Sequence, residues 1–211
     1  MGKIPELSCR HSRPVSSAAF PLFTSPAMTD TPTILARRDI ADSLLMEGRL
    51  DEALVILNDE ILPHFTETGE AREKAITQGR IADVLFAQGR LDDAMALHAE
   101  RLPAVTELGD DEGIAHVLFS MANIRLARGE HESGNLQQIY EELAEAFQLS
   151  CRHGQPDAIG GIGMLLVQVL AMGGLRDDAM DTLNVVEEAF TTLGDGDSLA
   201  RVRELRGMLE G

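Results

Sequence analysis

Eight glycines set the frame of this chain. Gly48, Gly69, Gly89, Gly109, Gly129, Gly154, Gly174 and Gly194 follow one another at intervals of 21, 20, 20, 20, 25, 20 and 20 residues. Each interval holds one helix of about four to five turns with its connection. A glycine just past a helix end has a physical reason, because that residue commonly turns left-handed and does so at least cost without a Cβ. The words between the glycines repeat as well. GRLDEAL at Gly48–Leu54 returns as GRLDDAM at Gly89–Met95 and as GLRDDAM at Gly174–Met180. LPHFTETGE at Leu62–Glu70 returns as LPAVTELGD at Leu102–Asp110, and FTTLGD closes the series at Phe190–Asp195. Self-similarity at a fixed period is the mark of a repeat array.

Successive helices alternate in character. The first of each pair carries an apolar stripe with a small residue inside it: Ile40, Ala41 and Leu44, then Ile81, Ala82 and Leu85. The third pair has Met121 and Ala122, the fourth Leu166, Val167 and Leu170. Spacings of one and four place these side chains on one face. The second helix of each pair has a small residue five after its glycine, at Ala53, Ala94, Gly134 and Ala179, which lets two antiparallel helices approach closely. The predicted unit is a helix hairpin, repeated four times. Acids crowd after the glycines, among them Asp51, Glu52, Glu70, Asp92, Asp93, Asp110, Asp111, Glu112, Asp177, Asp178 and Asp195. Carboxylates there complement the helix dipole and occupy free N–H groups, so much of the negative charge is expected to be structural.

That charge is large. With 18 Lys and Arg against 35 Asp and Glu, the formal net charge of the 211 residues is −17. It argues against a general nucleic-acid binder, which needs clustered cations, and against docking on anionic lipid. Residues 1–27 differ: Lys3, Arg10 and Arg13 face only Glu6, and four of the eight prolines fall here. Residues 1–30 are therefore expected to form a disordered leader, with a translation start at Met28 as the other reading. Ala158–Leu175 has no formal charge over 18 residues but contains five glycines and Gln168, and it is read as a buried helix of the array.

The residues Ala41–Gly48–Ala53 and Ala82–Gly89–Ala94 resemble the tetratricopeptide repeat (TPR), which has a small residue, a glycine seven on and an alanine five after that. Ala122–Gly129–Gly134 fits with one substitution, and Val167–Gly174–Ala179 departs at the small site. The period near 40 is similar to the long-helix variety of bacterial arrays and kinesin light chains. The resemblance implies an all-α, right-handed superhelical solenoid of about four antiparallel hairpins plus a C-terminal capping helix. A repeat domain over 31–211 would comprise units at about 31–69, 70–109, 110–154 and 155–194, with a cap at 195–210. Arg125 breaks the pattern, standing where the other units have Leu44, Leu85 and Leu170, and Glu130–Asn135 is read either as a protruding loop or as a late helix start. Pro63 and Pro103, late in second helices, are expected to bend them.

In this family the inner face of the first helices forms a groove for peptides. Carried over position by position, the resemblance assigns to it Arg38, Asp42, Leu45, Asp83, Phe86, Phe119, Asn123, Leu126, Met164 and Gln168, together with Leu35, Ile76, Gly79, His116, Gly161 and Ala171. Asp42, Asp83, Asn123 and Gln168 would form a polar row beside an apolar one of Leu45, Phe86 and Leu126. Amides there can hold a peptide backbone from donor and acceptor sides, while the acids favour basic ligands.

No catalytic constellation is expected. There is no P-loop, no G-x-S-x-G and no dinucleotide fingerprint, and GGIGM at Gly160–Met164 lacks a preceding strand. The histidines have no ligand spacing, so no metal and no cofactor is expected. His98 falls where an apolar residue is usual and is read as an interior histidine, and Cys151 near His153 as an inert thiol. The sequence thus points to a cytoplasmic, bacterial, non-catalytic scaffold that binds a protein or peptide with basic or apolar segments. A self-assembling module forming a homodimer and a peptide-sensing regulator are the alternatives.

Overall fold

The structure, a computed structural model, describes residues 31–211; the leader and Met28 lie outside the described residues, and the side chains of Thr31 and Pro32 with them. The described residues form helices without strands. They are α1 (Thr31–Met46), α2 (residues 50–68), α3 (Ala71–Ala87), α4 (Leu91–Glu107), α5 (Asp111–Ala127), α6 (Leu136–His153), α7 (Pro156–Met172), α8 (Arg176–Leu193) and α9 (Gly196–Glu210). Each packs mainly on its neighbours in the chain, as a solenoid requires.

All eight glycines of the ladder have positive φ, between 62 and 74°. After all of them but Gly69, the next backbone N–H reaches back five residues, as in Arg49 to Leu44 and Leu175 to Leu170, both at 2.9 Å. This closes the last helical turn and aims the chain into the next helix. The acids that follow lie mostly in first turns, but only Asp110 and Asp195 cap with their side chains, accepting from the N–H groups of Gly113 and Ser198.

The small sites do what the hairpin demands. Ala41, Ala53, Ala82, Ala94, Ala122, Val167 and Ala179 have no exposed surface. Gly134 is the exception: it lies outside any helix with φ 98°, and α6 begins two residues later. The fourth residue of that helix, buried Ile139, takes the place that Ala53, Ala94 and Ala179 hold in theirs. The extra residues of the third unit are therefore a folded turn followed by a late helix start. Arg125 explains the turn. Its guanidinium donates to Glu142 on α6 at 3.0 Å and to Glu130 at 2.9 Å, with all three side chains less than one-fifth exposed.

Pro63 sits just after a π turn at Leu57–Ile61 inside α2. Proline lacks the N–H and crowds the carbonyl four residues back, and a widened turn accommodates both. Pro103 lies within α4 without such a turn. The glycine-rich α7 is buried against α8. A Cβ on Gly160 would fall 2.4 Å from the Phe190 ring, and one on Gly163 2.3 Å from a Val186 methyl. Among the described residues no helix is long and apolar enough to cross a membrane.

The interior is divided. One apolar cluster runs from α1 to α5 around Ile34, Leu57, Ile61 and Phe65, reaching Ala94 and Ile124, and a larger one runs from α5 to α9 around Leu143, Val167 and Leu183. Ala75, Val105 and Val117 form a small third cluster between α3, α4 and α5, with Leu102, Ile114 and Met121 packed against it. The same region buries polar groups: Thr77, Gln78, His98 and Arg101. The cap α9 closes the far end with Val202 and Leu209, tied by Arg206 to Glu187 of α8 at 2.7 Å.

Candidate functional site

The first helices α1, α3, α5 and α7 form a row held by side chains that reach from one to the next. Arg38 of α1 pairs with Glu73 of α3 at 2.7 Å, and Asp42 pairs with Arg80. Asp83 of α3 faces His116 of α5 at 3.5 Å. The acids expected to await a basic ligand are thus partly engaged within the row itself, Asp42 most closely. Asn123 also gives one of its two amide N–H groups to the Phe119 carbonyl at 3.1 Å. Gln168 is exposed, while Leu45, Leu126 and Met164 are half-buried against the core. The expected row of four alike polar groups is therefore two paired acids, one back-bonded amide and one free amide.

Two clefts open along this row and share Phe119. The smaller, about 190 Å³, lies between α3 and α5, with Asp83, Phe86, His98, Phe119, Ser120, Asn123 and Ile124 around it. It brings together four of the residues that the sequence singles out: Asp83, Phe86, Phe119 and Asn123. The larger, about 290 Å³, lies between α5 and α7 over the end of α6. Ala115, Phe119, Leu149 and Ile162 give it an apolar floor, and Glu112 and Asp157 stand at its edge. Neither of these two acids has an ion-pair partner among the described residues. The third acid there, Asp111, is held by His153 at 3.0 Å and Arg152 at 3.4 Å. Gly161 lines this cleft with open space where a Cβ would be. Arg38, Asp42, Leu45, Leu126, Met164 and Gln168 belong to neither cleft.

Under the smaller cleft lies a polar cluster. His98 is 1 % exposed and its Nδ1 has no partner. Burial pulls its pKa down to about 4, so the ring is neutral near pH 7; Asp83 opposes the shift, and Arg101 and His116 add to it. Arg101, 5 % exposed, donates from Nη1 to His116 Nδ1 at 3.1 Å, and its Nε is unpartnered. That bond makes Nδ1 of His116 the acceptor and leaves the proton on Nε2, which points at Asp83. A Cβ on Gly79 would fall 2.7 Å from the Arg101 guanidinium, so the glycine makes room for it. Burial lowers the Arg101 pKa, with Asp83 and Asp110 opposing.

Sequence reasoning reached His98 but not Arg101. The one available signal was two polar residues, three apart, on the buried stripe of a second helix. Elsewhere the chemistry is bland. Cys151 is exposed at the end of α6, and desolvation pushes its thiol up, away from reactivity. Among the described residues no group of His, Cys, Asp and Glu is placed to hold a metal ion.

A row of antiparallel hairpins joined by left-handed glycines, with small residues at each crossing and a capping helix at the end, defines a TPR-like repeat solenoid. Solved structures agree in fold. A kinesin light chain of Podosopora anserina with nearly identical TPR-like repeats superposes with a TM-score of 0.60 at 14 % identity, covering 86 % of this chain and 97 % of that one. A single-substitution form of it gives 0.63 at 17 % identity, over 85 % and 90 % of the two chains. No protein-family model and no curated protein sequence matches the chain.

Proposed function

We propose that this protein is a non-catalytic interaction scaffold, acting in the cytoplasm of a bacterium, whose row of first helices holds an extended segment of a partner protein. The observation that carries the reading is the pair of clefts meeting at Phe119. Together they form a path across α3, α5 and α7 with apolar lining and carboxylates, and they include Asp83, Phe86, His116, Phe119, Asn123 and Gly161 of the positions the TPR resemblance assigns to ligand contact. Buried aromatic anchors supply most of the binding energy in such interfaces, and complementary charge supplies selectivity and association rate. Phe86 and Phe119 are the anchors here. Asp83, Glu112 and Asp157 favour a segment that carries cations. The fold by itself gives a binding surface and names no partner.

The test is affinity capture from host lysate with the wild-type chain beside an Asp83→Lys, Phe86→Ala variant of equal helicity. Both positions are exposed, so the variant should fold. A partner held by the wild type and lost by the variant supports groove binding. A partner kept by both moves the site to another face. No partner, together with a concentration-dependent dimer in light scattering, replaces the reading with self-assembly.

A further inference from the structure

The smaller cleft carries more than a general affinity for peptides. Each polar side chain of its lining can accept a hydrogen bond. Asp83 offers a carboxylate, Ser120 a hydroxyl oxygen and Asn123 its amide oxygen, while one of the two Asn123 N–H groups is given to the Phe119 carbonyl. Below them His98 is buried and neutral, with Nδ1 unpartnered. A buried polar atom without a partner is uncommon in a native fold and calls for an explanation. The walls are the rings of Phe86 and Phe119 and the side chain of Ile124. A cavity of about 150 Å³ takes a benzene molecule, so 190 Å³ takes the end of one long side chain and nothing larger.

We infer that this cleft is a receptor for one arginine side chain of a partner segment, its guanidinium between Phe86 and Phe119 and its N–H groups on Asp83, Ser120, Asn123 and His98. The guanidinium is planar, carries five donors and no acceptor, and stacks on aromatic rings, which matches a cleft with aromatic walls and spread acceptors. Lysine presents a compact charge with three donors and leaves part of the set unmet. The protein's own Arg101 does not line the cleft; its charge is faced by Asp83 and Asp110 and it holds His116 against Asp83. Asp83 is the charged residue that lines the cleft. This assignment rests on the groove reading above and names what one part of the groove accepts.

The experiment uses the full chain, isotopically labelled, titrated with N-acetyl-arginine amide while the ring signals of His98, Phe86 and Phe119 are followed by NMR. N-acetyl-citrulline amide, of the same shape without charge, and N-acetyl-lysine amide are the comparison probes. Saturable shifts of all three rings with the arginine probe, about tenfold weaker with either other probe, are expected for a charge-assisted, fork-shaped site. Asp83→Asn should weaken the arginine probe by a similar factor, and Asp157→Asn, in the neighbouring cleft, should leave it unchanged. Equal shifts from arginine and citrulline, equal affinity for lysine, or full binding by Asp83→Asn overturns the assignment. Groove-dependent capture of a partner without any arginine response removes this pocket and leaves the scaffold reading intact. An arginine response without a groove-dependent partner does the reverse.

Discussion

Acidification should act on the fold through His98. Its ring is buried without a partner for Nδ1, and burial draws its pKa from 6.5 to about 4. The unfolded chain therefore takes up a proton below about pH 6.5 that the folded chain refuses until about pH 4. Linkage sets the sign: stability that depends on the neutral ring is complete above the unfolded value and declines as pH falls through the window between the two. At pH 5 the loss is about 2 kcal/mol relative to pH 7. Replacing His98 with leucine removes it, and leucine is the buried residue at the matching places in the other second helices, Leu57, Leu143 and Leu183. Urea denaturation followed by far-UV circular dichroism at pH 7 and pH 5 measures both proteins. All other titratable groups are common to the two proteins, so the difference isolates residue 98. Wild type should lose about 2 kcal/mol more than His98→Leu on going to pH 5. An identical pH response in the two proteins would refute a buried, neutral His98.

Other outcomes follow from packing. Gly163→Ala should destabilise by about 1–3 kcal/mol in the same urea assay, because the new methyl meets Val186 and Phe147 in a filled interior. Gly161→Ala, two residues away with open space at Cβ, should stabilise by about 0.5–1 kcal/mol through helix propensity alone. Arg125→Leu strands the buried Glu142 carboxylate and should cost about 3–5 kcal/mol, while adding Glu142→Leu should return most of it. Equal losses in the single and double variants would show that the ion pair does not explain Arg125. Once a partner is in hand, added salt should slow its association more than it speeds release, as stopped-flow would show.

What could be read in the sequence is what depends on neighbours along the chain. The glycine ladder marks helix ends correctly, because a left-handed residue after a helix is a local requirement met by one residue type. The small residues at Ala41, Ala82 and Ala122 are equally local signals, repeated at a fixed distance. Gly134 misled because it is small for another purpose: it turns the chain, and Ile139 does the packing. The polar row was legible as positions but not as chemistry. Asp42 and Asp83 meet Arg80 and His116, which lie 38 and 33 residues further on, and only the stacking of one unit on the next brings them together. The Arg101–His116 contact is of the same kind. Its sole trace in the chain is a charged residue on a helix face that is otherwise buried.

The polar layer around His98 and Arg101 bears on how the molecule yields to force. In a linear array each unit is held only by its own interior and by the interface with the next. Here the middle of the array buries Thr77, Gln78, His98 and Arg101 beside the small apolar cluster of Ala75, Val105 and Val117, and the Nε of Arg101 and the Nδ1 of His98 have no partner. Drawn apart from its two ends, the solenoid should part there first. The halves on either side, each with its own apolar interior, would then hold their helices while the layer between them fills with water.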